Sequence, residues 1–151
     1  MSTYKEKKCP NILVVEDNPG DVRILQEAFK ECHIANRMLA INNGLEAIRF
    51  LQSDTKGENK FIPDLILLDL NLPLADGREV LAVIKADPFF RKIPVLVLSS
   101  SDAKKDINDA YNLQANSYIV KPFTLDQYIL MVRSINDYWL NTARLFTKDN
   151  F

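Results

Sequence analysis

The stretch Leu65-Ile66-Leu67-Leu68-Asp69-Leu70-Asn71-Leu72-Pro73 decides the fold. Four apolar residues in a row, without alternation, mark a strand covered on both faces, as in a parallel sheet flanked by helices. The run ends in a carboxylate, and Pro73 then stops the strand. In open parallel α/β sheets ligands gather beyond the carboxyl ends of the strands, so Asp69 falls where a reaction site forms. Taken alone, Asp69 reads equally well as a loop cap.

The other apolar runs end in the same way. Ile12-Leu13-Val14-Val15 runs into Glu16-Asp17, and Val95-Leu96-Val97-Leu98 into Ser99-Ser100-Ser101. Tyr118-Ile119-Val120 runs into Lys121-Pro122, and all four runs are expected to be buried on both faces. A weaker strand spans 37–41. Between strands the pattern is helical. Asn18 as cap and Pro19 as first residue open a helix with the stripe Val22, Leu25, Ala28, Phe29 and Cys32. Asn43-Gly44 lead into a second, with Ala47, Ile48 and Leu51 inward, and the polar stretch 54–60 reads as a surface loop. Asp76 or Gly77 opens a third over Val80, Leu81 and Ile84, and Ser101 or Asp102 caps a fourth. Thr124 begins the last helix, continued to Trp139. Five βα units with right-handed crossovers predict an α/β, flavodoxin-like, doubly wound five-stranded parallel sheet of order 2-1-3-4-5 with five helices.

At 151 residues the chain suits one domain, and a net charge of -1 argues against nucleic acid as a partner. No apolar run is long enough to span a bilayer, and residues 1–11 carry lysines without the apolar core of a signal peptide, so no membrane partner and a cytoplasmic location are expected. Cys9, Cys32 and the lone His33 make neither a disulfide framework nor a zinc site; Cys32 reads as core and His33 as a helix-end surface residue.

One sheet edge thus gathers Glu16, Asp17, Asp69, Ser99 and Lys121. Two carboxylates about 4 Å apart repel by roughly 4 kcal/mol at an effective dielectric near 20. A divalent cation relieves that conflict, and magnesium suits it: hard oxygen ligands, few protein carboxylates, and open positions for phosphate oxygens. An ammonium and a hydroxyl beside the cation would surround a transferring phosphoryl group, leaving a carboxylate free as nucleophile.

Glu16-Asp17, Asp69, Ser99 and Lys121-Pro122, in that order at successive strand ends, resemble the signature of two-component response regulator receiver domains. The resemblance implies a receiver over 8–141, a tail over 142–151 and no output domain. It implies that Asp69 accepts a phosphoryl group from a histidine kinase or phosphotransfer protein. Asp17, Asp69 and the backbone carbonyl of Asn71 would hold Mg2+, with Mn2+ as the alternative, and Glu16 would hold metal-bound water. Ser99 and Lys121 would bind the phosphoryl oxygens, and Ser99 with Tyr118 would form the switch. The Lys121-Pro122 bond is expected to be cis. Such a chain is no enzyme beyond its own magnesium-dependent phosphorylation and dephosphorylation.

Leu68-Asp69-Leu70-Asn71-Leu72-Pro73, Asp76-Gly77-Arg78-Glu79-Val80-Leu81 and Tyr138-Trp139-Leu140 further resemble the stand-alone receivers of cyanobacterial-type bacteriophytochromes. That implies a bacteriophytochrome as sensor kinase and output through a protein contact or a downstream phosphorelay protein. Other functions fit less well. A haloacid-dehalogenase-type phosphatase needs an acid two residues after its nucleophile, where this chain has Asn71. Glu16-Asp17 would repel the flavin phosphate of a flavodoxin, and no glycine-rich fingerprint follows the first strand for a dinucleotide. A pseudo-receiver, an interaction module that is never phosphorylated, is the remaining alternative. Beyond the core stripe Leu125, Tyr128, Ile129, Val132 and Ile135, the last helix and tail carry Met131, Tyr138, Trp139, Leu140, Leu145 and Phe146. This apolar surplus predicts a homodimer on the face of the fourth helix, fifth strand and last helix, with folding of the tail back over its own core as the alternative.

Overall fold

The computed structural model describes residues 9–53 and 61–147. The expected loop 54–60 and the last four residues of the tail lie outside the described residues. Strands β1 (Asn11–Val15), β2 (Arg37–Ile41), β3 (Leu65–Leu68), β4 (Val95–Ser99) and β5 (Ser117–Val120) alternate with helices α1 (Pro19–Glu31), α2 (Gly44–Gln52), α3 (Gly77–Ala86), α4 (Lys104–Asn112) and α5 (Leu125–Ile135). The sheet is parallel throughout, in the order β2-β1-β3-β4-β5 expected from the sequence.

Strand alternation splits the core into two layers. Ile12, Val14, Leu65, Leu67 and Leu96 face Leu25, Phe29, Tyr128 and Val132 of α1 and α5. Leu13, Val15, Ile66, Leu68, Val95 and Val97 pack with Ala47, Leu51, Val80, Leu81, Ile84 and Ala110 of α2, α3 and α4. Every residue of β3 and β4 is buried, as their unalternated runs require. β5 departs from that expectation: it is one of the two sheet edges, half-buried, with Val120 exposed. An edge strand has a neighbour on one side only, and composition does not distinguish it from a central one.

The helix starts follow the caps. Asn18, Asn43, Asp76 and Thr124 each accept hydrogen bonds from first-turn N–H groups. The fourth helix is the correction. Neither Ser101 nor Asp102 is its N-cap; that position is Ala103, without a side-chain cap. The Ser101 hydroxyl instead accepts from Ala103 N at 3.2 Å and donates to Asp106 Oδ2 at 2.5 Å.

The last α-helix ends at Ile135, before Trp139, and passes into a π-helical turn, Asn136–Thr142. Asn141 Nδ2 and Thr142 Oγ1 reach the carbonyls of Asn136 and Asp137, five residues back, at 2.7 Å each, matching the wider register. The chain beyond returns Phe146 to an edge-on contact with Phe89, ring centroids 5.5 Å apart, beneath the ammonium of Lys92. Cys32 is half-buried at the rim of the α1–α5 layer, and His33 is exposed at the end of α1 with φ of 54°. Among the described residues no helix is long and apolar enough to cross a membrane.

Candidate functional site

Backbone bonds between neighbouring strand ends set the register of the chemistry. Glu16 N donates to Ile41 O at 3.0 Å, Asp69 N to Val15 O at 3.0 Å, and Lys121 N to Ser99 O at 2.7 Å. Glu16, Asp69 and Lys121 therefore leave the sheet at one level, and Ser99 ends β4 between the last two. The Lys121-Pro122 peptide is trans, contrary to the expected cis bond. Trans is the lower-energy isomer by about 0.5–1 kcal/mol, and from it the lysine already reaches its partners. Behind Asp69, the start of α3 presses against the chain: a Cβ on Gly77 would lie 2.2 Å from Asp69 O. Gly77 N in turn donates to Leu70 O at 2.8 Å.

Glu16 and Asp69 are buried, and Asp17 is exposed at the mouth. One carboxylate oxygen from each lies within 4.8 Å of the others. The Lys121 ammonium enters this acidic group, donating to Glu16 Oε1, to Asp21 Oδ2 at 2.9 Å and to Asp69 Oδ2 at 3.0 Å. Burial, with Asp69 and Asp21 close by, pushes the Glu16 carboxyl up to about 9 against the opposing pull of Lys121. Burial disfavours the charged lysine, but the three carboxylates outweigh it and hold Lys121 well above its ordinary range.

One cation does not satisfy this cluster. Glu16 Oε2 is buried without a hydrogen-bond partner, an expensive state for a carboxylate oxygen. Three converging carboxylates, one with an unmet oxygen, suit a hard divalent cation with oxygen ligands. Glu16, Asp17 and Asp69 would supply its side-chain contacts. Asn71, the fourth expected ligand through its carbonyl, is exposed two residues on, and its N–H donates to Asp69 Oδ1 at 3.2 Å.

Ser99 is fully buried, and its Oγ accepts from Ser101 N at 3.2 Å. Tyr118 lies half-buried against the core, its hydroxyl donating to Ser101 O at 2.7 Å. The expected switch pair thus meets through the backbone of one residue, Ser101. The residues expected at a dimer interface are spread out. Tyr138 is exposed, whereas Met131, Trp139 and Leu140 pack partly against the α1–α5 layer; Leu145 is half-buried, and Phe146 packs on the opposite layer.

Sequence reasoning missed Asp21. It occupies the first turn of α1, where acids are favoured by the helix dipole alone, so its residue type carried no special signal. Its position did: one helical turn past Asp17, a side chain returns to the strand end. Partial burial pushes the Asp21 carboxyl up, but the neighbouring Glu16 carboxyl and then the Lys121 ammonium outweigh it and hold Asp21 below its ordinary range.

Comparison with known proteins places this arrangement. The family model described as the response regulator receiver domain matches residues 12–133. Response regulator Rcp1 of Synechocystis sp. (strain ATCC 27184 / PCC 6803 / Kazusa) is 44% identical over 134 residues, covering 89% of this chain and 91% of that one. The crystal structure of the phosphorylated cyanobacterial phytochrome response regulator RcpA superposes with a TM-score of 0.84 at 44% identity, over 92% of this chain and 99% of its own. The Mn(2+)-bound form of Rcp1 gives 0.81 at 43% identity, over 91% and 99%. Matched by the family model over residues 12–133 and similar along nine-tenths of such a relative, this chain belongs to the response regulator receiver domain family.

Proposed function

We propose that the chain is a phosphoryl-accepting switch in which Asp69 takes its phosphoryl group from a sensor histidine kinase of the phytochrome class. The observation that carries this reading is the Lys121 ammonium, 3.0 Å from Asp69 Oδ2 and bonded also to Glu16 in a buried acidic cluster. One oxygen of the Asp69 carboxylate attacks phosphorus, the bond from phosphorus to the donor's imidazole nitrogen breaks, and that nitrogen keeps the electron pair. Bound at Glu16, Asp17 and Asp69, Mg2+ or Mn2+ supplies positive charge against the phosphoryl oxygens. Lys121 follows those oxygens with its ammonium, and the Ser99 hydroxyl donates to one of them. Ser101 sits between Ser99 and Tyr118, which links phosphoryl capture to the α4–β5 edge. The phytochrome-class kinase rests on the likeness to RcpA and Rcp1.

Output goes through protein contacts on α4, β5 and α5, by homodimerisation or by a downstream phosphorelay protein. Exposed Tyr111, Val120, Leu125, Leu130 and Tyr138 lie along those elements and the turn after them, more large apolar surface than an edge needs for folding. The test is labelling with acetyl phosphate and Mg2+. The wild type should take one acid-stable, hydroxylamine-labile phosphoryl group per chain, and Asp69→Asn none. Folded wild-type protein that takes none would make the chain a pseudo-receiver.

A further inference from the structure

Among the described residues, Arg78 makes the densest ion-pair cluster outside the phosphorylation site. It is the second residue of α3, next to Gly77, whose Cα faces Asp69 O. Its guanidinium donates through Nη2 to Asp106 Oδ1 at 2.5 Å, through Nε to Asp109 Oδ2 at 3.0 Å and through Nη1 to Asp76 Oδ1 at 3.3 Å. Asp76 is the cap of α3, while Asp106 and Asp109 lie three residues apart on one face of α4. About a quarter of the Arg78 side chain remains exposed, so these pairs are partly shielded from water.

The second oxygen of Asp106 is taken by the Ser101 hydroxyl at 2.5 Å. Ser101 in turn gives its N–H to Ser99 Oγ at 3.2 Å and its carbonyl to the Tyr118 hydroxyl at 2.7 Å. A continuous polar chain therefore runs from Arg78, through Asp106 and Ser101, to both members of the switch pair. This is also why Ser101 does not cap α4: its hydroxyl hydrogen goes to Asp106, and its lone pair to Ala103 N.

We propose that Arg78 and Asp106 are positioning residues: by fixing Ser101 they hold Ser99 and the seat of Tyr118 in the arrangement that receives a phosphoryl group. This rests on the phosphoacceptor reading of Asp69. The physical basis is preorganisation. A hydroxyl already anchored through its own loop loses little freedom when it meets an anion. A planar guanidinium suits the task because it reaches three carboxylates at once, which an ammonium on a flexible stem does less well.

Arg78→Gln and Asp106→Asn test the proposal at saturating Mg2+, with acetyl phosphate as donor and wild type and Asp69→Asn alongside. Each variant should label about threefold to tenfold more slowly, with Mg2+ affinity within about twofold of wild type, because neither residue touches the acidic trio. The double variant should be no slower than the slower single one, and Arg78→Lys should recover part of the rate. In fluorotyrosine-labelled protein, with the Tyr118 resonance assigned by Tyr118→Phe, both variants should move that resonance toward its solvent-exposed position. If Arg78→Gln fails to fold, Ser101→Ala cuts the same chain without disturbing the guanidinium and should give the same shift. A merely structural role would lower the melting temperature and leave the rate and the Tyr118 resonance at wild-type values, and that result overturns the proposal. Wild-type protein that takes no label defeats the phosphoacceptor reading instead, and the Tyr118 resonance alone then decides the positioning role.

Discussion

Lys121 and Asp21 are paired at 2.9 Å across the mouth of the acidic cluster, one from the end of β5 and the other from the first turn of α1. Lys121 also holds Glu16 and Asp69, two of the three carboxylates that a divalent cation would use. Cation and lysine therefore draw on the same two carboxylates, and among the described residues Asp21 is the one ion-pair partner of Lys121 outside the acidic trio.

Asp21→Asn should accordingly weaken Mg2+ binding without abolishing labelling. The substitution removes a negative charge near the cation and leaves Lys121 more firmly on Glu16 and Asp69. Asp21 is about a third exposed, so solvent screening limits the effect to about 1 kcal/mol or less, roughly a threefold to fivefold rise in the dissociation constant. Calorimetric titration measures it, and Asp17→Asn, which removes one of the trio itself, should lose distinctly more. Equal affinity in wild type and Asp21→Asn would remove the competition.

The raised Glu16 carboxyl predicts opposite pH trends for stability and for cation binding. With its native value near 9 against the ordinary 4.5, the metal-free folded protein keeps a proton that the unfolded chain sheds. Stability contributed by that proton is complete below pH 4.5 and declines as pH rises toward 9. Lys121 is also held above its ordinary 10.5, so it titrates outside this window. A cation needs Glu16 ionised, so its affinity should rise across the same interval with proton release. Melting temperatures in chelator between pH 5 and 9, and binding enthalpies in buffers of different ionisation enthalpy, measure the two trends. Glu16→Gln should flatten both.

Gly77→Ala should damage both stability and phosphate uptake. The added Cβ would meet three backbone atoms of Asp69 and Leu70 at 2.2 to 2.8 Å, and backbone cannot rotate away as a side chain can. Overpacking of this kind costs about 1–3 kcal/mol, read as a lower denaturant midpoint. The relaxation must move either α3 or the segment carrying Asp69, so labelling of the folded fraction should slow as well. A variant as stable and as quickly labelled as wild type would contradict this close approach.

Much of the site was legible because β1, β3, β4 and β5 each end in the residue that carries the chemistry, and unalternated apolar runs locate those ends. The parallel order then brings Glu16, Asp69, Ser99 and Lys121 together without further information. Asp21 was not legible because an acid in a first helical turn has an ordinary explanation. The links from Arg78 to Asp106 and Asp109 span 28 and 31 residues, and no local spacing announces them. Ser101 was misread as a cap because its hydroxyl suits a cap; only the approach of Asp106 diverts it. β5 reads like β3 since neighbours, not composition, make an edge.

Oligomerisation separates the residues grouped as an interface in the sequence. Trp139, Leu140 and Met131 already pack against the α1–α5 layer, so Trp139→Ala should lower the melting temperature whatever the oligomeric state. Phe146 is engaged with Phe89 and Lys92, so truncation after Asp137 should likewise cost stability. Leu130 on α5 and Tyr138 in the π-helical turn are 60% and 55% exposed, and they are the cleaner reporters of a homodimer. Leu130→Ser and Tyr138→Ser should leave folding within about 0.5 kcal/mol, as exposed substitutions usually do, while raising the monomer fraction in sedimentation and sparing phosphate uptake. Truncating such anchors at an interface centre costs about 1–2 kcal/mol each, roughly a thirtyfold shift in dissociation for the larger value. Wild-type protein that sediments as a monomer at high micromolar concentration, with and without acetyl phosphate, would refute the dimer.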